Sequence, residues 1–356
     1  MNNKETTVKP RHFLKNLLEK FKQTPSLHFI VFGLVLMSIA PLTNLGLFRN
    51  SMLSVFAYIV IYTVTVFGLN LLLGFSKLIS LATASFIGAG ALSLGIFLNM
   101  GLPFEVALIL ILLISLVAGT VVGILSLKSQ GIYLAITTLF IQEILRQIFT
   151  SVGIFGGERI NIGSITFLGT FEMSRFNFAN RMILYYILVV FLVVVMIVFR
   201  NLIKSRTGRA FMAMSRSRSA ASAMGVSVMK YRVYAFVLAT LLAMLGGVLY
   251  GVYFQSAPTR AWTLDLSLML LAMVVVGGFK SIFGMFLGAF IIYGIPSLFL
   301  EDIFGDVSEI FAGILIIVIV LYYPQGLIHS GQDLKRLWKR LLARLRKKEV
   351  PKDEQQ

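Results

Sequence analysis

Long apolar runs alternate with short polar stretches along most of this chain. Several of the runs are close to the ~20 residues that a helix needs to cross the hydrocarbon of a membrane. The pattern predicts ten spans, at residues 29–47, 52–74, 79–98, 104–127, 131–150, 182–199, 233–254, 268–283, 284–300 and 307–323. The span at 131–150 is the most polar of them, and 268–283 with 284–300 reads equally well as one broken unit. We therefore expect an all-α polytopic membrane protein with about ten transmembrane helices.

The distribution of basic residues orients these spans. The chain is 58% hydrophobic and 13% charged, whereas soluble domains are nearer a quarter charged. With ten spans, 26 of the 32 Lys and Arg residues fall in segments on one side and five on the other. Because basic loops stay in the cytoplasm, both termini are predicted to be cytoplasmic. The net charge of +17 then reflects topology, and we expect no nucleic-acid partner.

Both ends of the chain are basic and amphipathic. Residues 1–28 and 329–356 carry apolar stripes among lysines and arginines, a pattern typical of helices that lie on anionic lipid. The transmembrane domain is predicted between them, at 29–328.

The side chains needed for catalysis or metal binding are scarce. The chain has no cysteine, and His12, His28 and His329 all lie outside the apolar runs. We find no glycine-rich phosphate loop and expect no metal, no cofactor and no ATPase site in this chain. Two rival interpretations remain: a stand-alone secondary transporter, which would depend on an intramembrane acid such as Glu143, and a membrane enzyme, which would need clustered acids or histidines.

Polar residues inside the spans are candidates for a translocation path, because an unpaired polar group is costly in lipid. The candidates are Asn70, Ser80, Thr83, Ser85, Thr137, Thr138, Gln142, Glu143 and Arg146. Glu143 and Arg146 are three residues apart and share a helix face. This pair either lies near the outer mouth of the path or forms an internal ion pair that fixes helix packing.

The loop at 200–232 is the most basic internal stretch. It contains eight Lys or Arg, no Asp or Glu, and many small residues. Small side chains let another surface approach the backbone, so we interpret the loop as a docking element. The alternative is a basic loop that only fixes topology.

Five strings in order resemble one family of transporters. They are GLNLLLGFSKLISLATASFIGAGAL (68–92), GIYLAITTLFIQEILRQIF (131–149), SRTGRAFMAMSRSRSAASAMGVSVMKYRVYAF (205–236), LMLLAMVVVGGFKSIFGMFLGA (268–289) and YYPQGLI (322–328). Together they are similar to the LivM-type permease subunits of branched-chain amino acid ABC importers, over roughly residues 50–328.

The resemblance implies a subunit in the cytoplasmic membrane of a bacterium that forms the path for leucine, isoleucine and valine. Its implied partners are a homologous LivH-type permease, two LivG/LivF-type ATPase subunits that bind the ATP, and an extracytoplasmic binding protein. The basic loop becomes the coupling loop on which an ATPase docks, and these residues match the family there: Gly208, Arg209, Ala220, Ala221, Ala223, Met224 and Gly225.

The sequence also departs from the family pattern. Arg216 and Arg218 stand where acidic residues are usual, Lys77 and Lys280 replace usual glycines, and Ala82-Thr83 replaces a Gly-His pair. Relatives carry urea, other amides or other amino acids, so these substrates remain alternatives.

Overall fold

The structure is a computed structural model that describes residues 25–44, 49–129, 131–151, 158–163, 165–167, 171–173 and 178–300, with five isolated positions beyond them. The helices are α1 (Pro25–Met37), α2 (Ile39–Asn44), α3 (Asn50–Asn70), α4 (Thr83–Asn99), α5 (Phe104–Lys128), α6 (Ile132–Ser151), α7 (Phe178–Lys204), α8 (Arg206–Arg216), α9 (Arg218–Ala223), α10 (Val228–Phe254), α11 (Leu264–Gly277) and α12 (Ile282–Ala289). A π-helical turn, Leu71–Phe75, extends α3, and two more, Phe290–Gly294 and Pro296–Leu300, extend α12. The short strands are β1 (Arg159–Asn161), β2 (Ile165–Phe167), β3 (Phe171–Met173) and β4 (Ser256–Pro258).

Helix α10 lies at the centre of the bundle, in contact with α3, α4 and α5. Glycines allow the closest of these approaches. A Cβ added at Gly247 would overlap the carbonyl oxygen of Ile87, and one at Gly90 would overlap that of Met244. Lipid gives apolar helices no hydrophobic drive to associate, so close packing through small residues supplies much of the stabilisation.

The remaining helices surround this centre. Helices α11 and α12 pack against each other and against α3, while α1 packs on α7 and α7 on α3. Helix α6 is peripheral, and one side of it is exposed through Tyr133, Ile136, Phe140 and Ile144. In the described part of the chain, that side is an apolar surface that faces outward.

The loops gather at two ends of the bundle. At one end β1 pairs antiparallel with β4, and Asn99 Nδ2 donates to the carbonyl of Asn161 at 3.2 Å. At the other end Arg232 donates to the carbonyls of Ser126 and Ser129. The first group contains loops predicted to be outside, and the second contains loops predicted to be cytoplasmic.

Six described helical segments are long and apolar enough to cross a membrane: Ser51–Phe75, Phe104–Lys128, Ile132–Ser151, Asn180–Lys204, Val228–Phe254 and Ile282–Phe299. Three shorter apolar segments, Leu27–Thr43, Thr83–Asn99 and Leu264–Gly277, coincide with three further predicted spans. The helical polytopic class is confirmed. The predicted tenth span, 307–323, lies outside the described residues apart from single positions. Residues 1–24 and 322–356 also lie outside them, so the predicted lipid contacts of both ends stay predictions. The count of ten and the cytoplasmic termini therefore stay predictions.

The predicted division between the eighth and ninth spans, at residues 283 and 284, is wrong. Helix α11 ends at Gly277 and α12 begins at Ile282. Between them Gly278 (φ 96°) and Lys280 (φ 65°) have left-handed backbone conformations. A right-handed helix cannot continue through such residues.

Candidate functional site

Helix α4 begins without a capping side chain of its own, because its N-cap residue is Ala82. The first N–H groups of any helix have no partner within that helix. Side chains of α6 and α11 accept hydrogen bonds from this end of α4 instead: Thr138 Oγ1 from Leu81 N at 2.9 Å, Ser267 Oγ from Ala84 N at 3.0 Å, and Gln142 Oε1 from Ser85 N at 2.9 Å. We call Ser85, Thr138, Gln142 and Ser267 the α4 polar cluster. It caps one helix from two others.

Gln142 is the centre of this cluster and is only 1% exposed. Its Oε1 also accepts from Ser267 Oγ at 3.3 Å, and its Nε2 donates to the carbonyl of Trp262 at 2.8 Å. Its backbone carbonyl accepts from Ser85 Oγ at 2.8 Å. One side chain therefore connects α4, α6 and the segment that precedes α11.

Asn70 forms a second polar connection, near the two breaks that follow α3 and α11. Its Oδ1 accepts from Lys280 N at 2.9 Å, and its Nδ2 donates to the carbonyl of Ser281 at 3.3 Å. Lys77 (φ 51°) and Lys280 (φ 65°) both have left-handed backbones. These are the two lysines that stand where the family resemblance leads us to expect glycine, the residue that adopts this conformation at no steric cost.

The other predicted path residues are divided between the interior and the surface. Ser80 and Thr83 are buried, whereas Thr137 is half-buried and its hydroxyl lies 3.1 Å from that of Ser129. Arg146 Nε donates to Glu143 Oε2 at 2.9 Å, and the side chains are 34% and 51% exposed respectively. The pair therefore lies on the exposed side of α6, next to its apolar surface, and its hydrogen bonds run between the two side chains.

A cluster of aromatic rings was not predicted. Tyr58, Tyr62 and Tyr293 contact one another with centroids 5.2–5.7 Å apart, and Tyr250 lies 5.8 Å from Tyr58. Trp262 packs edge-on against Tyr250 at 5.2 Å, so the cluster reaches the residue whose carbonyl binds Gln142. Tyrosines four residues apart in an apolar span were the available signal. Ser267, a polar residue in an otherwise apolar stretch, was also missed.

The predicted docking loop forms two short amphipathic helices, α8 and α9. Ser205 Oγ and Ser217 Oγ cap them, accepting from Gly208 N and Ala220 N at 3.3 Å. Phe211, on the inner face of α8, is fully buried, and its ring centroid lies 5.9 Å from that of Tyr231 in a T-shaped contact. The buried face holds the two helices against the bundle and leaves their polar faces exposed.

A groove of about 550 Å³ runs between α8 and α9, and we call it the coupling groove after the coupling loop that the family resemblance predicts here. Its lining is basic and small: Arg206, Arg209, Ala210, Ala213, Arg216, Ser217, Ala220, Ala221, Met224, Val226 and Tyr231. Of the predicted docking residues, Arg209, Ala220, Ala221 and Met224 line it. Gly208 lies on the buried face of α8, and Ala223 and Gly225 are exposed beside the groove. Met224 is 85% exposed.

Arg232, the last of the eight basic residues of this loop, is buried and contacts the end of α5. Arg232 is 4% exposed, and its Nη2 donates to the carbonyls of Ser126 and Ser129, the latter at 2.7 Å. A cationic side chain at a helix C-terminus satisfies carbonyls that lack a partner in the helix. Arg232 therefore joins α5 to α10.

Comparison with known proteins identifies the framework that carries these features. Residues 51–320 match the family of branched-chain amino acid transport system permease components. The chain belongs to this permease family. Among its relatives, the high-affinity branched-chain amino acid permease protein LivM of Salmonella typhimurium is 29% identical over 290 residues, 75% of this chain and 68% of the relative.

Two further relatives are more distant. The probable branched-chain amino acid permease LivM of Methanocaldococcus jannaschii is 27% identical over 62% of this chain and 68% of its own length. The fructose import permease FruG of Bifidobacterium longum is 26% identical over 67% and 72%. No solved structure matches the chain. The permease is thus a multi-pass transport protein of the ABC class, as the sequence resemblance predicted.

Proposed function

We propose that this permease is the transmembrane subunit of a bacterial importer for branched-chain amino acids, and that an ATPase subunit docks in its coupling groove. The observation that carries the proposal is the groove itself. It combines small side chains, which admit a partner's backbone, with Met224, an apolar side chain that is 85% exposed. An exposed apolar residue at the rim of a concave surface is typical of a protein interface.

The charge of the groove specifies the chemistry of that partner. Arg206, Arg209 and Arg216 line it, and residues 200–232 contain no acid. Opposed charges across an interface speed association and exclude wrong partners. The matching ATPase surface is therefore acidic. In relatives whose coupling loop carries the usual acidic residues, the matching ATPase surface would instead be basic.

Contacts beneath the groove provide a route for coupling. Helix α8 packs against the π-helical turn Leu71–Phe75, which directly follows Asn70. Asn70 in turn binds the backbone at Lys280 and Ser281. Movement of α8 on ATP binding would be transmitted to both helix breaks, and alternating access would follow from their rearrangement. Polar residues such as Thr83, Ser85 and Thr137 would then form walls for a neutral zwitterion.

The remaining partners are assigned by surface. A homologous permease would cover the exposed side of α6, where Glu143 and Arg146 would face the path between the subunits. A substrate-binding protein would dock at the end that carries β1 and β4. The importer would lie in the cytoplasmic membrane.

The substrate proposal rests on the relatives whose names specify branched-chain amino acids. A sugar is the second candidate, because the Bifidobacterium relative is a fructose permease at similar identity. Uptake of labelled leucine, fructose and urea by cells with and without this permease separates the alternatives. Saturable leucine uptake that competes with isoleucine and valine supports the proposal, and fructose uptake alone would refute the amino-acid assignment.

Docking is tested by charge reversal. Arg216→Glu should abolish co-purification of the ATPase subunits and transport, because it introduces repulsion at the acidic surface. Lys230→Glu is the matched control, since Lys230 is exposed nearby but does not line the groove. Equal ATPase recovery with both variants would contradict the docking proposal.

A further inference from the structure

A second cavity lies at the opposite end of the molecule from the coupling groove. This outer pocket, of about 360 Å³, is located where the start of α3 meets the π-helical end of α12. Its volume is at the lower end of the range for small-molecule sites. Irregular π-helical turns occur frequently at functional sites, and here they form one wall.

The polar lining of the outer pocket favours an anionic group. Arg49 is the charged member of the described lining, and Ser51, Ser54 and Ser297 contribute hydroxyl groups. Helix α3 begins beside Arg49, so its positive dipole end adds to the field. A guanidinium group binds a carboxylate through two parallel hydrogen bonds, a bidentate geometry. Since the guanidinium has five N–H donors, Arg49 can bind a carboxylate in this way and keep its other contacts.

The apolar lining selects a short aliphatic chain. Met52, Val55 and Leu298 line the same cavity as the hydroxyl groups. A ligand that satisfies both parts has a charged head and a branched alkyl body. A cavity of about 360 Å³ admits such a molecule and leaves no room for a long acyl chain.

The tyrosine cluster borders the outer pocket on the side of the bundle interior. Tyr58 and Tyr293 line the cavity, and both contact the buried Tyr62. Their ring faces can attract an ammonium group. Beyond them, Tyr250 contacts Trp262, whose indole N–H has no hydrogen-bond partner in the described part of the chain.

We propose that the outer pocket binds small aliphatic carboxylates, with Arg49 on the carboxylate and the alkyl chain against Met52, Val55 and Leu298. Resting on the proposed function, this makes it the first station of the amino acid after release from the binding protein. The tyrosine cluster then separates this station from the rest of the path.

Ligand-detected NMR on the complete complex in nanodiscs, without ATP, tests the site. The probes are isovalerate, which has the carboxylate and alkyl chain, L-leucine, and leucinamide, which lacks the carboxylate. Isovalerate and leucine should compete for one site, and leucinamide should bind at least about tenfold more weakly, the usual cost of losing a charge-assisted hydrogen bond. Equal binding of leucinamide and leucine would overturn the proposal.

Variants connect binding to the pocket. Arg49→Gln should weaken isovalerate binding by about tenfold or more, whereas Lys128→Gln, an exposed cation at the other end of the bundle, should leave it unchanged. Val55→Trp fills the cavity with Arg49 intact and should also abolish binding. Unchanged isovalerate binding in both pocket variants overturns the site, as does a pocket that retains only co-purified phospholipid.

The two proposals fail in different ways. If leucine uptake persists and Arg49→Gln binds isovalerate like the wild type, the site is refuted and the transport assignment stands. If isovalerate binding depends on Arg49 while leucine is not transported, the carboxylate site stands and the branched-chain assignment is refuted.

Discussion

Replacing Gln142 by alanine is the most direct test of the packing described above. The side chain takes part in three hydrogen bonds, with Ser85 N, Ser267 Oγ and the carbonyl of Trp262. Gln142→Ala removes them all and leaves the Ser85 N–H and the Trp262 carbonyl buried without these partners. Hydrogen bonds between membrane helices are worth about 0.6 kcal/mol each on average and up to about 1.7. Orphaned buried groups add to this cost, so we expect a loss of about 2–4 kcal/mol.

The readout is the apparent melting temperature of the detergent-purified permease, followed by size-exclusion chromatography after heating. Gln147→Ala is the matched control, because Gln147 lies on the same helix and is exposed, and among the described residues its side chain donates only to Ser151 Oγ, at 2.9 Å. Membrane proteins commonly unfold irreversibly, so the variants are ranked rather than converted to free energies. If Gln142→Ala melts with Gln147→Ala and the wild type, the α4 polar cluster does not stabilise the bundle.

Two further substitutions test the backbone geometry. Lys280→Gly should raise the apparent melting temperature, because the left-handed conformation at φ 65° costs an L-residue about 1 kcal/mol. The control Lys128→Gly, in the last turn of α5, should lower the melting temperature. The reverse order of the two variants would contradict this reasoning. Gly247→Ala should abolish the yield of monodisperse protein, because the added Cβ would overlap the Ile87 carbonyl. The control Gly163→Ala, with nothing described within 4 Å of the added Cβ, should behave like the wild type. A normal yield of Gly247→Ala would refute the close contact between α4 and α10.

Much of the helical framework was predictable, since apolar run length alone determines where a chain can cross lipid. The break after α11 was placed six residues too late because Gly277, Gly278 and Phe279 carry no polar side chain that would interrupt the apolar run. Hydropathy does not register a change of φ. The lysine at position 280, a charged residue inside an apolar stretch, was the available signal.

The candidate site was predictable only as an inventory of residues. Gln142, Thr138 and Ser85 were identified because polar side chains inside the membrane are costly and are usually functional or paired. That they contribute to one cluster that caps α4 depends on which helices become neighbours. The same holds for the outer pocket, which joins residues from the start of α3 and the end of α12.

The sequence by itself therefore determined the class of the protein, the approximate positions of its described helices and its family. These properties depend on local apolarity and on ordered motifs, both of which are written linearly. The tertiary structure alone decided that α10 is central, that Arg232 caps α5, and that the tyrosines of three helices form one cluster. Each of these depends on distances between residues far apart in the chain, which are set by the packing of whole helices and by no local pattern.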